Sequence, residues 1–97
     1  MRLHGRVIRS GQPVEGAYVR LLGPAGEFTA EVRTDETGRF VFYPVAGDWV
    51  LRMLLPGGYV LEQTVTLSEG QTIDVQLLGE MARDAAGQPA PRESGPP

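Results

Sequence analysis

Residues 28–45 read FTAEVRTDETGRFVFYPV. Phe28, Ala30 and Val32 alternate with Thr29, Glu31 and Arg33, and after a polar break Arg39 to Val45 is rich in aromatic and β-branched residues. Alternation with a period of two marks a half-buried strand, because successive side chains leave a strand on opposite faces. Between the two runs, Asp35 can accept a hydrogen bond from the backbone two residues on, and Gly38 can take the positive φ that closes a turn. The stretch therefore predicts a strand over 28–34, a turn at 35–38 and a strand over 39–45. Phe28, Ala30, Val32, Phe40 and Phe42 are expected to face inward.

The same pattern continues in both directions. Strands are predicted over 3–9, 17–22, 49–55, 59–67 and 72–78, separated by Gly- and Pro-bearing breaks at 10–13, 23–26, 46–48, 56–58 and 68–70. Leu3 and Val7 oppose His4, Arg6 and Ile8; Ala17, Val19 and Leu21 oppose Tyr18, Arg20 and Leu22; Trp49, Leu51, Met53 and Leu55 share a face, as do Ile73, Val75 and Leu77. No segment has helical periodicity. Short strands with turn signals every eight to twelve residues are the pattern of an all-β sandwich, and the fold predicted is a seven-stranded antiparallel Greek-key β-sandwich.

Ninety-seven residues suit one small domain. Residues 1–79 are expected to form it. Residues 80–97 (EMARDAAGQPAPRESGPP) hold four of the eight prolines and Met81 as their one large aliphatic residue, so they are expected to be a disordered tail. Within residues 1–79, seven Arg are scattered among nine Asp or Glu. That is neither a nucleic-acid groove nor a polybasic membrane patch. Cys, Lys and Asn are absent, which excludes a disulfide, a thiolate nucleophile, Cys-ligated metal, a Schiff-base lysine and N-glycosylation. The start, MRLHGRVIRSGQ, lacks the apolar segment of a secretory signal, and no run approaches eighteen apolar residues. A cytoplasmic location is the expectation.

The segments Gly5 to Val7 (GRV), Gly11 to Val19 (GQPVEGAYV), Thr34 to Phe42 (TDETGRFVF) and Gly47 to Arg52 (GDWVLR) together resemble the carboxypeptidase regulatory-like domain, a transthyretin-like β-sandwich, over residues 3–78. The run Gly16 to Val32 (GAYVRLLGPAGEFTAEV) is similar to a family of small actinobacterial proteins encoded beside thiosulfate sulfurtransferase genes. Members of that family carry a longer N-terminus with a cysteine, which this chain lacks. What the resemblance implies is a role as partner or assembly factor for a sulfurtransferase.

Candidate chemistry is sparse. The transthyretin-like 5-hydroxyisourate hydrolases use a strand-one His, an Arg after a turn glycine, a second His and a C-terminal Tyr-Arg-Gly-Ser; His4 and Arg39 match the first two, and the others have no counterpart. Asp35 and Glu36 are adjacent carboxylates without the further oxygen ligands a calcium loop needs. No catalytic residue, cofactor or metal site is assigned. The outward parity, by contrast, carries Tyr18, Arg20, Val41, Tyr43, Arg52 and Leu54, a mixture of aromatic, aliphatic and Arg side chains of the kind enriched where proteins meet. These six are the expected contact residues for a protein partner or a second copy. A small-ligand or carbohydrate module using Tyr43, Tyr59 and Arg52 is one alternative, and a hydroxyisourate hydrolase-like enzyme built on His4 and Arg39 is the other.

Overall fold

The computed structural model describes residues 2–79 and the backbone of 83–84. The seven long strands are β1 (Arg2–Arg9), β3 (Tyr18–Leu22), β4 (Phe28–Arg33), β5 (Arg39–Phe42), β6 (Gly47–Leu55), β7 (Tyr59–Leu67) and β8 (Thr72–Leu78). Two-residue strands are added at β2 (Gln12–Pro13) and β9 (Arg83–Asp84). Of the 80–97 stretch, Arg83–Asp84 pairs with β7; the rest lies outside the described residues. No helix among the described residues is long and apolar enough to cross a membrane.

The strands form two layers. The second sheet runs β4-β3-β6-β7-β9, antiparallel throughout. The first sheet is built around β1, which pairs antiparallel with β2 and β5 and parallel with β8. The parallel β1–β8 pair departs from the all-antiparallel expectation. It arises because β8 returns along the edge of β1 that β5 and β2 leave open, in the direction of β1 itself.

The inner faces meet in one core. Leu3, Val7, Val19, Leu51 and Met53 are fully buried, with Leu21, Leu55, Leu67 and Leu77 nearly so. Each such side chain contributes about 1.5–3 kcal/mol by leaving water, which is why the period-two pattern, and with it the register, is firmly set. Phe40 and Phe42 pack edge to face, with centroids 5.9 Å apart, a geometry that suits the ring quadrupoles. Phe40 lies across Gly5, its direct partner in the ladder; a Cβ there would overlap the ring.

Two sequence expectations are corrected. Phe28, expected inward, is 62% exposed. A bulge between Leu21 and Leu22 shifts the β3–β4 register, so that Ala30 opposes Leu21 but Phe28 opposes the outward Leu22. One extra residue on β4 thus moves Phe28 to the other face. The strand expected over 39–45 ends at Phe42, since Pro44 cannot donate to a ladder. Trp49 does pack against the core as expected, though only half-buried; its indole N–H donates to the Val45 carbonyl at 3.0 Å, which pins the bend before β6.

The sandwich is tied across its layers at Thr34, just past β4. Its buried hydroxyl donates to the Val14 carbonyl at 2.6 Å and accepts from the Ala17 amide at 2.9 Å, while the Thr34 amide donates to the Ala17 carbonyl. One side chain thereby satisfies two backbone groups of the β2–β3 connection. Thr34→Val, which keeps the shape and removes the oxygen, is expected to cost about 1–3 kcal/mol by stranding both groups. Urea denaturation should show this loss, with Thr34→Ser closer to wild type; equal midpoints for Val and wild type would contradict it.

Candidate functional site

The outward residues named from the sequence fall on two opposite faces. Tyr18 and Arg20 on β3 and Arg52 and Leu54 on β6 share the outer face of the second sheet. They are cross-strand partners in that sheet, Tyr18 opposite Leu54 and Arg20 opposite Arg52. Val41 and Tyr43 instead belong to the first sheet, Val41 opposite His4 and Tyr43 just past the end of β5 at 72% exposure. The six expected contact residues therefore do not make one surface, because strand parity separates inside from outside but does not say which sheet a strand joins.

On the second sheet the register aligns outward residues into rows across the strands. The middle row reads Glu31, Arg20, Arg52, Glu62 from β4 to β7. Arg20 is ion-paired with Glu31, and Arg52 with Glu62 at 3.7 Å. All four are well exposed, so these pairs fix side-chain positions more than they stabilise the fold. One neighbouring row is Arg33, Tyr18, Leu54, Val60 and the other is Phe28, Leu22, Val50, Thr64. Arg33 stacks on the Tyr18 ring, 5.0 Å from its centroid, a cation–π contact that holds the ring in place. A groove of about 410 Å³ runs between the first two rows, lined by Tyr18, Arg20, Glu31, Arg52, Leu54 and Val60 among others. Phe28 escaped sequence reading because the bulge has no local signature. Val60 and Glu62 were findable from the Leu61, Val65, Leu67 alternation.

On the first sheet, β5 and β1 bring His4 and Arg39 to one concavity of about 320 Å³, together with Arg6, Asp74 and Gln76. The proposed carbohydrate set is dispersed. Arg52 is outside the second sheet, Tyr43 is on the first, and Tyr59 is half-buried beneath the Arg9 guanidinium, 4.4 Å from its ring centroid.

The 35–38 loop is a turn whose carboxylate is committed. Asp35 Oδ1 accepts from the Thr37 amide (2.9 Å), the Thr37 hydroxyl (2.7 Å) and the Arg39 amide (3.0 Å). Gly38, at φ 77°, passes so close to the Val7 carbonyl that a Cβ would collide. No cluster of three or more potential metal ligands occurs among the described residues.

With this geometry in view, the comparisons place the chain. The family described as "Protein of unknown function (DUF1416)" matches residues 1–78. The chain belongs to the DUF1416 family. Two Mycobacterium tuberculosis relatives, the uncharacterised proteins Rv0814c and Rv3118, are each 51% identical over 55 residues, covering 56% of this chain and 55% of theirs. The match thus spans about half the length of these relatives. Among solved structures, a Klebsiella pneumoniae 5-hydroxyisourate hydrolase superposes with TM-score 0.66 at 22% identity, over 80% of this chain and 88% of the hydrolase. The minor pilin GBS52 of Streptococcus agalactiae does so with TM-score 0.69 at 18% identity, over 99% of this chain and 47% of the pilin. These likenesses establish the transthyretin-like β-sandwich as the fold of this DUF1416 member, and at such identities they speak for fold alone.

The hydrogen bond from the Thr37 hydroxyl, then that from the Arg39 amide, hold the Asp35 carboxyl below its ordinary 3.8. A carboxyl lowered in the folded state stabilises the protein above its unfolded pKa, and that stability is lost as pH falls through the folded value. Wild type should exceed Asp35→Asn in urea midpoint near neutral pH, and the difference should shrink as pH drops below about 4. A difference independent of pH would contradict this account of the turn.

Proposed function

We propose that the chain is a non-catalytic β-sandwich module that binds a protein through the outer face of its second sheet. The observation that carries this reading is the aligned Glu31-Arg20-Arg52-Glu62 row between two rows that are each apolar at three of four positions. Tyr18, Phe28 and Leu54 are 42%, 62% and 46% exposed, a concentration of large apolar side chains on one face that a solvated sheet would replace with polar ones. Arg20 and Arg52 stand directly opposite each other, each with one carboxylate partner and guanidinium nitrogens to spare. The row is charge-balanced within itself, so an entering acidic side chain would be held by the N–H donors that the two guanidiniums keep beyond their Glu partners. The occupant that fits is a protein segment presenting one carboxylate flanked by apolar side chains, the latter covering Tyr18 and Leu54.

The resemblance to proteins encoded beside thiosulfate sulfurtransferase genes makes such an enzyme the partner to try first. Titration of the chain against the purified sulfurtransferase from the same organism, followed by calorimetry, should give saturable binding. Arg52→Glu and Leu54→Asp should each weaken it by about thirtyfold, the effect of a central contact residue, with unchanged thermal unfolding. Tyr43→Glu, on the opposite face, should leave it intact. Absence of binding, together with a monomeric protein in sedimentation at high concentration, would defeat the proposal. A self-associating species broken by Arg52→Glu would replace the partner with a second copy.

A further inference from the structure

The concavity on the first sheet stands apart from the docking face. Arg6 on β1 and Arg39 on β5 are direct cross-strand partners. Two guanidiniums opposite each other on a strand pair are destabilising unless something neutralises them. Neither takes part in a close ion pair among the described residues, where Arg20 and Arg52 of the other sheet each have one; the nearby Asp35 carboxylate, held by its own turn, acts on Arg39 only through space. Arg6 is anchored through Nε, which donates to the Thr37 carbonyl at 3.1 Å. That bond comes from the turn organised by Asp35, and it leaves the terminal nitrogens of Arg6 available.

The remaining lining gives the site its character. The parallel β1–β8 ladder sets Asp74 opposite His4 and Gln76 opposite Arg6, and all four line the same concavity with Arg39. Two guanidiniums against one carboxylate make the lining suited to an anion, with imidazole and carboxamide groups beside them to hydrogen-bond it. The single carboxylate sets which anion. A bare dianion would meet the Asp74 carboxylate, whereas a ligand with an O–H or N–H could donate to it.

We infer that the concavity formed by His4, Arg6, Arg39, Asp74 and Gln76 is a binding site for a small monoanionic oxyanion that also carries a hydrogen-bond donor. The two arginines take the anionic oxygens, in the paired N–H to oxygen geometry that makes guanidinium the preferred partner of carboxylate and phosphate. Asp74 accepts the donor and so discriminates against dianions. The volume of about 320 Å³ sits at the lower end of ligand sites, which restricts the occupant to a small molecule.

The test uses inorganic phosphate and sulfate on the isotope-labelled full chain at pH 6 and constant ionic strength. At that pH phosphate is mainly a monoanion with O–H donors, and sulfate is a dianion without any. Phosphate should shift the amides of residues 4–6, 39–41 and 74–76 saturably, and sulfate should bind at least about tenfold more weakly, the worth of one charge-assisted hydrogen bond. Arg6→Gln and Arg39→Gln should each lower phosphate affinity by about tenfold or more. Asp74→Asn should raise sulfate affinity towards that of phosphate. Arg52→Glu, on the other face, should change nothing, so this site and the docking surface fail separately. Unfolding midpoints close to wild type confirm that the variants are folded, and Arg39→Lys provides a milder replacement should Arg39→Gln unfold. Shifts that do not saturate, or that persist unchanged in Arg39→Gln, would overturn the inference; so would equal binding of sulfate and phosphate by the wild type.

Discussion

Strand β1 carries the first sheet. β8 occupies one of its edges from Arg2 to Ile8, and β5 and β2 divide the other. Apart from β1, no described strand of this sheet has a second neighbour within it. The inward set on β1 is correspondingly strict: Leu3 and Val7 are fully buried, and Gly5 between them gives its volume to the Phe40 ring. A one-residue slip of β1 would exchange these for His4, Arg6 and Ile8. The same register that buries Leu3 and Val7 is the one that gathers His4, Arg6, Arg39 and Asp74 on the outside, so core packing and site assembly are two results of one constraint.

The second constraint is local and polar. Thr34 and Asp35 are neighbours with different tasks: the Thr34 hydroxyl is buried and stitches the 14–17 connection to the end of β4, while the Asp35 carboxylate stays at the surface and shapes its own turn. The acidic loop that looks in sequence like a ligand-binding element is consumed by its own backbone. Its indirect effect on function is larger, since the Thr37 carbonyl it positions holds Arg6.

Most of the fold was legible because it rests on alternation, which is local. Inward Val19, Leu21, Leu51, Met53 and Leu77 follow from parity alone. What parity cannot supply is the assignment of strands to sheets, and that is where the candidate surface went astray: Val41 and Tyr43 have the same outward parity as Tyr18 and Arg52 yet face the opposite side of the sandwich. Phe28 was misplaced by a single extra residue opposite Leu22, which no local pattern announces. His4 and Arg39 were singled out from a resemblance and do lie together. Arg6 shares the parity of His4 and was available to the same reading, whereas Asp74 reaches the site through a pairing between residues some seventy positions apart in the chain.

That long-range parallel pairing also bears on how the protein is made. During synthesis β1 leaves the ribosome well before β8, and it can pair with β2 and β5 early. Its other edge stays open until residues 72–78 have followed. An exposed edge over an apolar strand invites pairing with other chains, and closing so long a loop delays the rewarding contacts. The nascent chain thus carries, until β8 arrives, an open edge that the finished sandwich, with that edge sealed, does not reveal.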